Sequence, residues 1–168
     1  MNLNDLKQKM PEIFENVKKD VIKTLGWKFH RAGLRLGLAQ LGMVDGAFIG
    51  GMYFYPGTDI VMNTSPLWLI LDTQPDEIVW AYTYHILLHE YIHSLGYIKE
   101  EECREKTLEV IENIFNEKND PVLILAEIGI GYYIRNLRIK NLPPDRRLDG
   151  IPIEYVDSFD RESQSYYS

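Results

Sequence analysis

Residues 89–93 read His89-Glu90-Tyr91-Ile92-His93, and they sit near the end of a stretch that no proline or glycine interrupts from Asp76 to Leu95. Thr73-Gln74-Pro75-Asp76 supplies a capping residue, an early proline and first-turn carboxylates, as a helix start requires. Ile78, Ala81, Ile86, Leu88, Tyr91, Ile92 and Leu95 give this helix apolar surface, and Gly96 follows as a stop. A long, largely buried helix must therefore carry His89 and His93 one turn apart on one face.

That spacing lets both imidazoles reach one ion, with Glu90 beside the remaining coordination position. Neutral imidazoles leave a bound zinc ion enough charge to bring a water's pKa towards about 7. Glu90 is then placed to take that water's proton during attack on a carbonyl and to hand it to the leaving amine.

The run His89-Glu90-Tyr91-Ile92-His93-Ser94-Leu95-Gly96 resembles the zincin metallopeptidases, and in its HExxHxxG form the metzincin-type and minimal matrix-metalloprotease-like domains. The resemblance implies a zincin-like fold, a Zn2+ cofactor, His89 and His93 as ligands, Glu90 as general base and a peptide or protein substrate. It covers the active helix and its exit. The family's third ligand falls six residues after the second histidine, where this chain has Lys99, and no methionine follows His93 to make a methionine turn.

A catalytic zinc usually has three protein ligands. Glu100 opens a second helix running to about Glu117, whose buried stripe is Cys103, Thr107, Val110, Ile111 and Ile114. At about 100° per residue Glu100 falls on that stripe, whereas Glu102, Glu105 and Glu109 fall opposite. Glu100 is the preferred third ligand; Glu101, Glu102, Glu105, Asp120 and Glu127 remain alternatives. Most of the acidic cluster also reads as charge complementing the helix dipole. Glu127 stands apart because it interrupts an apolar run, where an unpaired carboxylate is costly.

His85 continues the series, but the outer histidines of 85, 89 and 93 lie about 12 Å apart along the axis. They cannot all bind one ion, so His85 reads as a packed or supporting histidine. Cys103, the one cysteine, excludes an intramolecular disulfide framework and reads as core. A net charge of −7 argues against nucleic acid as partner. With no signal-peptide pattern and no membrane-length apolar run, the expected location is cytoplasmic, without membrane association. The oligomeric state is not encoded in any readable pattern.

The expected fold is α+β, a zincin-like single domain over residues 1–142 with a small twisted sheet, the zinc helix and a helical C-terminal part. An amphipathic helix to about Leu25 and another over Arg31 to Leu41 are expected first. Ala47 to Tyr55 and Asp59 to Asn63 read as short strands about a Pro56-Gly57-Thr58 turn, either of which can hold an extended substrate. A third long helix is expected from Pro121 to about Lys140, with Tyr132 or Tyr133 as an oxyanion donor or core. Residues 143–168 read as a polar tail, in which Asp157, Asp160 or Glu162 is a self-inhibitory ligand candidate.

The function expected is a zinc metalloprotease, a hydrolase that cuts peptide bonds with zinc-activated water and a glutamate base. Two alternatives stand beside it. One is a zinc hydrolase of another substrate class, such as the YbeY-type endoribonucleases, whose motif also runs into a Gly-Tyr turn like Gly96-Tyr97. The other is a non-catalytic zincin-fold binding module with a degenerate site, suggested by Lys99.

Overall fold

Asn2 and Asp5 start the first helix reciprocally: the Asp5 amide donates to the Asn2 side chain at 2.8 Å and the Asn2 amide to the Asp5 carboxylate at 2.9 Å. This helix, α1 (Leu3–Leu25), buries Leu6, Met10, Ile13, Phe14, Val17 and Val21 at helical spacing. Gly26, at φ +107°, ends it. The structure is a computed structural model and describes residues 1–162.

The chain next forms a strand, β1 (Arg35–Ala39), where a helix over Arg31 to Leu41 is expected. Leu34, Leu36 and Leu38 are all buried at a spacing of two, and the sheet uses that period. Gly37 admits the C-terminal segment beside the strand: a Cβ there would meet Ile153 Cγ2 at 2.3 Å.

The expected hairpin forms as β2 (Gly51–Tyr53) and β3 (Asp59–Asn63), the first strand being shorter than anticipated. Tyr53 pairs with Ile60 and Gly51 with Met62, antiparallel, while β3 runs parallel to β1 with Arg35 opposite Asp59. A short β4 (Glu154–Tyr155) completes the order β2-β3-β1-β4, leaving β2 at an open edge.

An unforeseen helix, α2 (Thr64–Thr73), follows β3 at once, capped by the Asn63 side chain on the Ser65 amide. Thr73 therefore ends one helix instead of capping the next. The motif helix, α3 (Asp76–Ser94), starts at Pro75 with no side-chain cap. It contacts α1 and α2 as well as β2, β3 and the later helices, so residues all round it are buried, among them Ile78, Tyr84, Leu88, Tyr91 and Ile92.

After a tight exit at Gly96 (φ +111°), α4 (Glu100–Ile114) packs back on α1 and α3. The expected third long helix is instead two short ones, α5 (Pro121–Glu127) and α6 (Gly131–Ile134). Gly129, at φ +102°, takes the backbone out of helical geometry between them.

Residues 143–162 run back over the sheet and α1. Val156 and Phe159 are buried, with Phe159 stacked on Phe14 at 4.3 Å. These elements make a mixed α+β architecture. Among the described residues no helix is long and apolar enough to cross a membrane.

Candidate metal centre

Tertiary packing of α3 fixes His89, Glu90 and His93 on a rigid element, and the tight Gly96 turn returns the chain so that Glu100 faces the histidines. The His89 and His93 rings lie 4.9 Å apart between centroids, inclined at 83°. Both Nε2 atoms meet one carboxylate: His89 Nε2 is 2.7 Å from Glu100 Oε1 and His93 Nε2 is 3.1 Å from Oε2.

The opposite ring nitrogen of His93 decides what that closeness means. His93 Nδ1 lies 2.7 Å from the Tyr97 carbonyl oxygen, an acceptor only, so Nδ1 donates. In the neutral tautomer the Nε2 lone pair then faces a carboxylate oxygen, and two acceptors at 3.1 Å repel unless a cation lies between them. Two imidazoles and a carboxylate are a donor set that could hold a metal ion.

Electrostatics agree. Burial pulls the His89 imidazole below its ordinary value, which favours the neutral form that can ligate. For Glu100, burial acts upward, but His89 and His93 outweigh it and hold the carboxyl below its ordinary value.

Glu90 is 5% exposed, and its Oε2 atom is buried without a hydrogen-bond partner. Burial first, and the charge of Glu100 second, push its carboxyl up to about 8. An unpartnered carboxylate oxygen in such a place is expensive in a merely structural role and useful in one that accepts a proton.

Strand β2 lies directly over this residue because Gly50 and Gly51 carry no side chains. A Cβ on Gly50 would meet Ile86 Cδ1 at 2.5 Å, and one on Gly51 would sit 3.4 Å from Glu90 Cγ. Cavities open on both sides. The larger, about 1270 Å³, reaches from His89 and Glu90 along Ile86 to Leu108 and Leu125; the smaller, about 260 Å³, joins His93 to Tyr53, Tyr55 and Ile98. Gly51, Glu90 and Glu100 line both.

The structure brings together His89, Glu90, His93 and Glu100 of the residues singled out in the sequence. His85 lines the larger cavity, and burial lowers its imidazole to about 4, so it is neutral at ordinary pH. Glu127 is solvent-exposed at the cavity's far end and not enclosed by its apolar neighbours. Glu101, Glu102 and Glu105 are exposed, and Asp120 caps α5 through the Val122 amide. Neither Tyr132 nor Tyr133 lines the two cavities. Asp160 is bonded to Lys18 and to the Gly33 and Leu34 amides, and Glu162 to Lys18 and His30, away from the histidine pair.

Cys103 was read only as core, yet it adjoins the centre: ligand-capable atoms of His89, His93 and Cys103 lie within 4.8 Å of one another. Its place one turn after Glu100 on the same stripe was the available signal. Its thiol donates to the His89 carbonyl oxygen at 3.2 Å, a contact that braces α3, and burial raises it to about 12 in the metal-free chain. No known protein family, curated protein or solved structure matches the chain.

Proposed function

We propose that this protein is a zinc-dependent metallopeptidase, with His89, His93 and Glu100 as ligands and Glu90 as general base. The observation that carries the reading is the Glu100 carboxylate bracketed by two Nε2 atoms, one of them on a ring whose Nδ1 faces the Tyr97 carbonyl oxygen.

His89, His93 and Glu100 would hold the zinc ion, which would supply Lewis acidity towards a substrate carbonyl and water. Glu90 Oε2, buried and unpartnered, accepts the proton of the attacking water. Its carboxyl is raised to about 8 in the metal-free chain, and the positive charge of an ion at His89 and His93 would draw it down to where Glu90 can accept that proton and later give it to a leaving amine. Tyr97 keeps the His93 ring oriented and its tautomer fixed. Gly51, without a Cβ, lets the β2 backbone close onto Ile86 and Glu90.

A peptide substrate is favoured by the open edge of β2. The Asn63 amide donates to the Gly50 carbonyl oxygen at 2.9 Å, so Gly50 and, two residues on, Met52 turn their backbone groups towards β3. Gly51 and Tyr53 turn theirs outward, where an extended chain can add as a further strand across the centre. A lone buried thiol accords with a cytoplasmic location.

The test is Glu90→Gln in the full chain, with zinc content and turnover of an unfolded protein substrate measured together. Zinc and fold should be retained and turnover should fall about 100-fold or more, since only proton transfer is lost. Equal turnover in the two forms would end this mechanism.

A further inference from the structure

The loop between α1 and β1 carries Arg31, which takes no part in the chemistry above. Its guanidinium donates to three neutral oxygens: Tyr53 Oη at 2.7 Å, the Ser94 carbonyl at 3.0 Å and the Gly57 carbonyl at 2.6 Å. Ser94 is the last residue of α3, Tyr53 the last of β2, and Gly57 lies in the turn to β3. One planar fork thus joins the end of the metal-ligating helix to the outer strand that roofs it.

The side chain is held from behind. The Arg31 amide donates to Tyr91 Oη at 3.0 Å, so an unspecified position of the HExxH motif anchors the loop that carries the fork. Two residues on, the Gly33 amide donates to Asp160, whose carboxylate is buried against Lys18. Tyr53 also donates to the Gly57 carbonyl at 2.6 Å, and its residue lines the smaller cavity beside His93.

We infer that Arg31 is a positioning residue of the cleft: it sets the height of the β2 edge above α3, and so the fit of an extended chain on the His93 side. Its kinetic consequence rests on the peptidase reading; its geometric consequence does not.

The experiment compares zinc-loaded full-length wild type, Arg31→Met, Arg31→Lys and Tyr53→Phe by hydrogen exchange and by cleavage of fluorescein-labelled unfolded casein. In Arg31→Met, exchange over residues 51–58 should rise about tenfold while α1 keeps its protection, as local opening requires. KM should rise about fivefold or more with kcat within about twofold, the pattern of lost substrate fit without lost chemistry. Arg31→Lys should fall between, because one ammonium cannot satisfy all three acceptors in fork geometry. Unchanged exchange over 51–58, or an equal rise in α1, overturns the inference, as does a fall in kcat with KM unmoved. If wild type leaves casein intact while exchange over 51–58 responds, the peptidase reading fails and the positioning role stands.

Discussion

The Tyr97 carbonyl oxygen lies 2.7 Å from His93 Nδ1, and this backbone contact four residues beyond the motif determines which nitrogen of His93 is free to ligate. The Gly96 turn makes it possible: at φ +111° the chain folds back over the helix end, which brings the Tyr97 carbonyl to the ring and Glu100 to its other side. The carboxylate beside the histidine pair and the carbonyl that orients His93 therefore both follow from one short turn.

Metal content separates the ligands from their neighbours. His89→Ala, His93→Ala and Glu100→Gln should each lose zinc on dialysis, because two remaining donors do not hold the ion. Glu127→Ala and Cys103→Ser should keep about one zinc per chain, since the first carboxylate is exposed at the cavity's end and the thiol holds its proton on the His89 carbonyl. Elemental analysis of folded variants reads this directly, and zinc lost from Cys103→Ser but kept in Glu100→Gln would exchange the roles of the two residues.

Glu90 makes the chelator-stripped protein sensitive to pH in a definite direction. Its carboxyl is raised in the native state from the ordinary 4.5 to about 8, chiefly by burial, so the folded chain binds that proton more tightly than the unfolded one. The associated stability is full below pH 4.5 and lost as pH rises through 8. Relative to Glu90→Gln, stripped wild type should weaken across that window by on the order of a few kcal/mol and then level off. Urea midpoints at pH 5, 7 and 9 measure it; parallel curves for the two proteins would mean that Glu90 is ionised throughout.

The α3 helix, the β2–β3 hairpin and the nearness of His89, Glu90, His93 and Glu100 could be read from local pattern, because helical spacing, a turn signal and the Gly96 exit each lie within a short stretch of sequence. Much of what escaped depends on partners distant in sequence. Residues 31–41 carry leucines that suit a helix or a strand, and β1 forms because β3 and β4 offer backbone pairing on both sides. The break at Gly129 and the helix over Thr64–Thr73 were missed for a different reason: each turns on one local residue, a glycine and an asparagine cap, too brief a signal to stand out from its surroundings. In the site, the contribution of Cys103, the Tyr97 carbonyl and Arg31 lies in backbone oxygens and helix docking that residue types do not announce.

The closeness of β2 to α3 predicts a coupled pair of substitutions. A Cβ at Gly51 would stand 2.9 Å from Ile86 Cγ2 and 3.1 Å from the Val61 carbonyl oxygen, and the second contact is backbone that cannot yield. Gly51→Ala should therefore lift the strand and cost about 1–3 kcal/mol. In the background Ile86→Ala, which removes one of the two obstacles, the same change should cost less, a coupling of about 0.5 kcal/mol or more. Urea denaturation of the four proteins closes the cycle, and strict additivity would remove Ile86 as the contact that sets strand height.

Lys18 gives the last test, because it joins the C-terminal segment to α1 in the interior. It is 2% exposed, and its ammonium lies 2.9 Å from Glu15, 2.9 Å from Asp160 and 3.0 Å from Glu162. Lys18→Met keeps the apolar stem but leaves Asp160, itself buried, without its cation, at a cost of about 3–5 kcal/mol. Burial opposes the charge on Lys18, but bonds to Glu15, Asp160 and Glu162 outweigh it and raise the native value above the ordinary 10.5. A raised lysine contributes stability that is full below the unfolded value and is lost as pH climbs past it. The gap between wild type and Lys18→Met should thus be constant from pH 7 to about 10 and shrink above about 10.5. Buried tyrosines such as Tyr84 and Tyr91 also weaken the fold in alkali, and taking the difference between the two proteins cancels them. Denaturation midpoints at pH 8, 10 and 11.5 decide the matter: a gap that stays constant to the highest pH would mean that Lys18 acts by packing and not by charge.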